Sequence, residues 1–198
     1  LMYDPQGDQE IIAAQDRMKE TLEDWIPKIL AAQEPDGYIQ TAYTLRDTSQ
    51  WKERWEPENR NAHEGYVAGY FIEAALAHYK LTEGRDSRLF DAAIRMADCW
   101  ADNIGVGKKY WYDGHQGIKQ ALISLARFTA DKEEYSSGDD YIALAKFLAD
   151  NRGDGIKHYQ THLPVYKQYE AVGHAVRVPY LNNGMAGIAS ETGNVDYH

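Results

Sequence analysis

His63-Glu64-Gly65-Tyr66-Val67-Ala68-Gly69-Tyr70-Phe71-Ile72-Glu73-Ala74-Ala75-Leu76-Ala77-His78-Tyr79 is apolar around nearly its whole circumference. Apolar residues at helical spacing with almost no polar face predict a helix over about 64–81 that is packed on all sides. The next stretch, about 87–104, carries one apolar stripe (Leu89, Phe90, Ala93, Ile94, Ala97, Trp100) and predicts a helix with one face in water. An inner helix followed by an outer one makes a helical hairpin.

The pattern then returns. His115-Gln116-Gly117 opens a second inner helix carrying Leu122, Leu125, Ala126 and Phe128, and its outer partner, about 140–150, carries Ile142, Ala145, Leu148 and Ala149. Short polar turns join each pair, Glu83-Gly84-Arg85-Asp86-Ser87 and Ser136-Ser137-Gly138-Asp139. A third inner helix is expected from about Tyr169, with Ala171, Val172, Ala175, Val176, Leu181 and Met185 inside and a kink at Pro179. Gly173, Gly184 and Gly187 lower helix propensity, so they point to close backbone approach. Upstream, Ile11, Met18, Leu22, Trp25, Ile29 and Leu30 predict a helix that Pro27 should kink or restart. A turn at Glu34-Pro35-Asp36-Gly37 and a long polar connection through Arg46, Trp51, Trp55 and Pro57 follow it.

Repeated hairpins bury their apolar faces only against their neighbours. The expected fold is therefore all-α, a partial (α/α)6 toroid or barrel with negligible strand. Three inner helices amount to about half of a six-pair ring, so residues 1–198 read as part of one (α/α)6 domain with an apolar edge exposed to self-association.

Bulk composition narrows the function. The chain has 198 residues with a formal net charge of -10, which disfavours phosphate backbones and other polyanions, so no nucleic-acid partner is expected. No apolar run is long enough to span a bilayer, so no membrane partner is expected. One cysteine, Cys99, lies in an apolar helical stretch; it can form neither an internal disulfide nor a thiolate cluster. The chain starts at Leu1 without a charged or apolar leader and reads as a processed or truncated end. Localisation is left open between bacterial periplasm and cytoplasm. Fifteen Tyr and five Trp suit sugar binding, and equally suit packing between helices.

His63 and His115 open successive inner helices and His174 falls near the third, so all three are expected on one rim of the toroid. Acids lie beside them: Glu64, Asp113 and Glu170, the last one helical turn before His174. Glycoside hydrolysis uses two carboxyl groups flanking the bond, but no spacing here singles out a pair, and a carboxylate at a helix start is commonly a cap. His158 and His162 have metal-like spacing only if helical, and Gly155 and Pro164 bracket them too closely for a long helix. No dinucleotide fingerprint, P-loop, GxSxG elbow or HExxH occurs.

Five blocks in order carry a resemblance: Gln33-Glu34-Pro35-Asp36-Gly37-Tyr38, His63-Glu64-Gly65-Tyr66, Phe71 to Tyr79, His162-Leu163-Pro164-Val165, and Glu170-Ala171-Val172-Gly173-His174-Ala175-Val176-Arg177. Together they resemble the β-L-arabinofuranosidase family of glycoside hydrolases, family 127, and its relative family 146. The resemblance implies an (α/α)6 barrel followed in complete members by β-sandwich domains, which residues 1–198 do not include. It also implies retaining removal of non-reducing-end β-L-arabinofuranose, with a zinc-held cysteine nucleophile and a glutamate acid/base. Those groups are expected outside this segment, which is expected to bind no metal, to bind zinc only as part of the full-length enzyme, and to be inactive alone. His63, His115 and His174 correspond to sugar-contacting histidines, with Tyr66 or Trp55 as an apolar wall; Glu64 and Glu170 are fallback acids. Tyr70 stands where the family places a second histidine. An unsaturated-uronyl hydrolase on the same toroid, or an inactive barrel segment, are the alternatives.

Overall fold

The computed structural model describes residues 1–44, 53–132, 135 and 138–197. Arg46, Trp51, Ser136 and Ser137, all named above, lie outside these residues. Seven α-helices are described in order: α1 (Gln9–Ala31), α2 (Thr41–Thr44), α3 (Glu64–Leu81), α4 (Arg88–Asn103), α5 (Gly117–Thr129), α6 (Asp139–Asp150) and α7 (Arg177–Thr192). Short 3₁₀ segments lie at Pro57–Ala62, Lys157–Tyr159, Val165–Lys167 and Val195–Tyr197. Among the described residues there is no strand beyond an isolated Ile104–Lys109 bridge.

Side-chain contacts fix the helix directions. At one end, the Tyr66 ring of α3 meets His115, just before α5, and His115 meets Tyr180 in the first turn of α7. At the other end, Tyr79 of α3 meets Phe128 of α5, and Arg127 of α5 bonds Glu191 of α7 at 2.6 Å. Helices α3, α5 and α7 therefore run parallel, with their N-terminal ends together. Phe90, at the start of α4, packs on Tyr79 at the end of α3, so α4 returns antiparallel on the outside. The end of α6 returns the same way, where the Asn151 side-chain amide donates to the Trp111 carbonyl at 2.9 Å. Helix α1 lies beside α4, tied by Arg88–Glu23 at 2.9 Å and by Gln33 donating to the Ala92 carbonyl at 2.8 Å. Parallel inner helices backed by α1, α4 and α6 form hairpin-built toroid architecture.

The inner helices approach closely because glycines of α3 and α7 stand against α5. A Cβ on Gly69 would stand 2.9 Å from the Ile118 backbone nitrogen, and one on Gly184 would stand 2.9 Å from the Lys119 Cβ. The core between the layers is filled by Ile72, Phe90, Trp100, Ile118, Leu122, Tyr141, Leu148 and Ile188, all essentially buried.

Three helix readings need correction. Helix α3 is not packed all round: Tyr66, Tyr70, Glu73, Ala74 and Ala77 form an exposed stripe at helical spacing. Apolar tyrosine and alanine on that stripe made it indistinguishable from core. Helix α1 runs through Pro27 without restarting. Helix α7 starts at Arg177 rather than near Tyr169, because Gly173 takes a left-handed φ of 77° and turns the chain first. Pro179 then sits in the first turn of α7, where a missing N–H breaks no helix bond, so no kink is needed.

Candidate functional site

The joined N-terminal ends of α3, α5 and α7 carry a cluster of ring side chains. His63 is the residue before α3 and has a left-handed φ of 60°, which turns the chain out of the Pro57–Ala62 segment into the helix. Its ring lies 5.8 Å from Tyr66, and Tyr66 lies 4.7 Å from His115 and 4.5 Å from Tyr70. His115 reaches Tyr180 at 4.8 Å, and the Tyr70 and Tyr180 hydroxyls share a short hydrogen bond. Tyr66 and Tyr70 are exposed on the α3 stripe, so the cluster has an open face of aromatic rings with hydroxyl and imidazole edges. Flat apolar faces with polar edges suit a sugar ring, whose two faces are apolar and whose rim bears hydroxyls.

Both histidines are held neutral. Burial pushes His115 down to about 4, with Arg177 adding to the fall, and its Nδ1 accepts from the Gly117 N–H at 3.2 Å. That contact leaves Nε2 as the protonated nitrogen of the neutral ring. Burial, then Arg177, also lowers His63.

Beneath the cluster the loop is anchored by buried ions. Asp113, Lys119 and Arg152 have fully buried side chains, with Lys119 Nζ 2.7 Å and Arg152 Nη1 3.4 Å from Asp113 Oδ1. Lys119 also donates to Gln116 Oε1 at 2.8 Å, and Gln116 donates to the Tyr159 carbonyl at 3.0 Å. Residues 113–116, which carry His115, are thus held on both sides by charged hydrogen bonds.

The comparisons with known proteins bear on this site. The profile of the β-L-arabinofuranosidase GH127 catalytic domain matches residues 9–198. The chain belongs to glycoside hydrolase family 127. It is 35% identical over 214 aligned residues to a non-reducing-end β-L-arabinofuranosidase of Bifidobacterium longum subsp. longum, covering 98% of this chain and 31% of that protein. A solved GH127 β-arabinofuranosidase superposes with a TM-score of 0.81 at 38% identity, over 92% of this chain and 29% of the other. A GH127 β-L-arabinofuranosidase from Geobacillus stearothermophilus T6 gives 0.78 at 32% identity, over 92% and 30%. The chain therefore spans about a third of the length of these relatives.

Within this family-127 chain the expected site residues divide. His63, Tyr66 and His115 come together as the repeat implies. His174 lies at the same end, before α7, but its ring packs edge-on against His158 at 5.8 Å and is exposed, while its Nδ1 accepts from the Val176 N–H. Trp55 does not face the cluster: it is 5% exposed and sits between Tyr38 and Trp100 in the core, so it offers no stacking wall. Its position in a polar stretch hid this, because the Trp55 N–H donates to buried Glu64 and draws residue 55 inward.

Glu64 is likewise a core group. It accepts from the Tyr38 hydroxyl at 2.5 Å, the Tyr43 hydroxyl at 3.3 Å and the Trp55 N–H at 3.1 Å, and burial raises its pKa. Glu170 lies in an exposed bend, not on a helix, so the expected shared face with His174 is absent. It lines a separate cavity of about 270 Å³ with Val165, Tyr169, Leu181 and Met185. Sequence reasoning passed over Tyr180 and Arg177 as site residues. Tyr180 follows the expected Pro179 kink, and Arg177 stands at the end of the last block. The signal available was helical phase, since both fall in the first turn of α7.

No three His, Cys, Asp or Glu side chains among the described residues gather closely enough to hold a metal ion. Cys99 is buried in α4 and burial raises its thiol to about 11, the opposite of a metal-ready thiolate. His158 and His162 flank the left-handed Gln160 rather than sharing a helix face. These residues do not fit a zinc site. Among the described residues no helix is long and apolar enough to cross a membrane.

Proposed function

We propose that the protein containing this chain removes β-L-arabinofuranose from the non-reducing ends of glycans, and that residues 1–198 form one wall of the sugar-binding end of its (α/α)6 catalytic barrel. The observation that carries this reading is the His63–Tyr66–Tyr70–His115–Tyr180 cluster on the joined N-terminal ends of three parallel inner helices. Family membership supplies the reaction class.

In this reading the chain binds and orients. Tyr66 and Tyr70 stack on an apolar face of the sugar, and neutral His115 offers its Nε2 proton to a hydroxyl. His174, three residues before α7, reaches the same sugar from the side. Fixing the ring in one orientation is a large part of rate enhancement. Bond cleavage belongs to residues elsewhere in the protein, because Glu64 is committed to Tyr38, Tyr43 and Trp55 and Glu170 lies outside the cluster. A resident zinc, if the enzyme uses one, would draw its ligands from outside the described residues and would supply an activated thiolate. The exposed Met18 and Trp25 of α1 fit a chain that completes its packing against further protein, another copy included.

The test is hydrolysis by the full-length protein of a chromogenic β-L-arabinofuranoside beside an unsaturated uronide, with zinc content measured in parallel. Turnover of the arabinofuranoside, reduced by His174→Ala with zinc content unchanged, is expected. Turnover of the uronide alone overturns the reading in favour of a different toroid glycosidase. Turnover by residues 1–198 alone would return the chemistry to acids such as Glu64 and Glu170.

A further inference from the structure

Arg177, at the rim, has two donors that lack partners among the described residues. Its side chain is 5% exposed, and Nε and Nη1 are both shielded from solvent with no hydrogen-bond acceptor. Burying guanidinium N–H groups unpaired is costly, so an acceptor is expected to meet them. The neighbouring cations are better matched: Lys119 has Asp113 and Gln116, and Arg152, with Nε alone unpaired, has Asp113 and the Tyr159 carbonyl.

The position of Arg177 says what that acceptor is. It is the first residue of α7, its guanidinium lies 5.1 Å over the Tyr159 ring, and its charge is felt by both His63 and His115. Tyr180, three residues on, is a member of the ring cluster. The neighbours are thus ring faces, neutral imidazoles and the charge of Asp113, whose Oδ1 meets Lys119 and Arg152 and whose Oδ2 has no hydrogen bond, so a second anion beside Arg177 would be repelled. That setting matches a neutral, hydroxyl-bearing ligand with ring faces.

We propose that Arg177 is a sugar-binding residue, its unpaired Nε and Nη1 donating to an oxygen of the glycoside held between His63, Tyr66, His115 and Tyr180. A cation donating to a sugar oxygen strengthens that bond relative to a neutral donor, and the planar guanidinium fixes its direction. Arg177 therefore adds orientation that the tyrosine faces alone do not provide. The inference rests on the proposed arabinofuranosidase reading.

The experiment uses the full-length protein, its Arg177→Lys and Arg177→Ala variants, and a set of β-L-arabinofuranosides each lacking one ring hydroxyl. L-arabinose binding is titrated by calorimetry beside acetate and glucuronate. Losing a charged hydrogen bond is expected to weaken sugar binding about ten- to hundred-fold in both variants. One deoxy substrate is expected to be insensitive to the substitutions, because it lacks the oxygen that Arg177 holds. Lysine keeps the charge but not the direction, so Arg177→Lys resembling Arg177→Ala supports donation over simple charge.

Equal sensitivity of every deoxy substrate overturns the proposal and leaves Arg177 satisfied by a structural water. Binding of glucuronate or acetate that depends on Arg177, without such dependence for L-arabinose, overturns it in favour of a carboxylate. If the wild type fails to hydrolyse arabinofuranosides yet binds a neutral sugar through Arg177, the activity reading falls and this inference stands. If it hydrolyses them and Arg177→Ala behaves as wild type, the reverse holds. If it neither hydrolyses arabinofuranosides nor binds L-arabinose, both fall.

Discussion

Asp113→Asn removes one negative charge from a place where two cations are fully buried. Lys119 Nζ lies 2.7 Å and Arg152 Nη1 lies 3.4 Å from Asp113 Oδ1, with all three side chains at 0% exposure. Asparagine fills nearly the same volume and keeps a carbonyl oxygen for Lys119, so packing and one hydrogen bond survive. The carboxylate that compensates an ammonium and a guanidinium does not. Breaking a buried pair by removing one partner costs about 3–5 kcal/mol, a large share of the ~5–15 kcal/mol that stabilises a domain. Burial already holds Lys119 down to about 8, and without Asp113 it falls further, so the variant should gain stability as the pH rises above neutrality. The sign follows because the unfolded lysine still binds its proton where the folded one has released it. Urea unfolding of the protein, followed by near-ultraviolet circular dichroism, measures the loss. Adding Lys119→Met should recover much of it, since the second substitution removes a charge that has lost its partner. A cost under ~1 kcal/mol, or no recovery in the double variant, would refute the claim that this ion cluster anchors the His115 loop.

Three further outcomes are expected. Gly69→Ala should destabilise by about 1–3 kcal/mol despite its gain in helix propensity, because the new Cβ would meet the Ile118 and Gly117 backbone at 2.9–3.0 Å; thermal unfolding reads this. The His115 ring should titrate near pH 4 by NMR, with its signal assigned by His115→Gln, and its contribution to stability should be complete above pH 6.5 and lost as the pH falls from there towards 4. A midpoint near 6.5 would show that the ring is solvated. Cys99 should resist iodoacetamide in the native protein at pH 7 and react only after unfolding, since its thiol is buried and raised to about 11.

Hairpins were legible because period and composition agree: α4 and α6 carry one apolar stripe each, and their observed bounds fall within a residue or so of the expected ones. The lumen-facing side of α3 was not, because tyrosine and alanine serve a core and a sugar-binding wall alike. His63, Tyr66 and His115 could be brought together from their shared phase in the repeat. The fate of Trp55 and Glu64 could not, since it depends on long-range contacts in which the Tyr38 hydroxyl and the Trp55 N–H both reach Glu64. Arg177 and Tyr180 became site residues only once α7 was seen to start eight residues later than its apolar pattern suggests.

The most direct measurement is a crystal structure of the full-length protein with L-arabinose bound. Sugar density over Tyr66 and Tyr70, with one hydroxyl within hydrogen-bond distance of His115, is the expected result. Density in the cavity beside Glu170 and Tyr169, with the His63–His115 cluster empty, would contradict it.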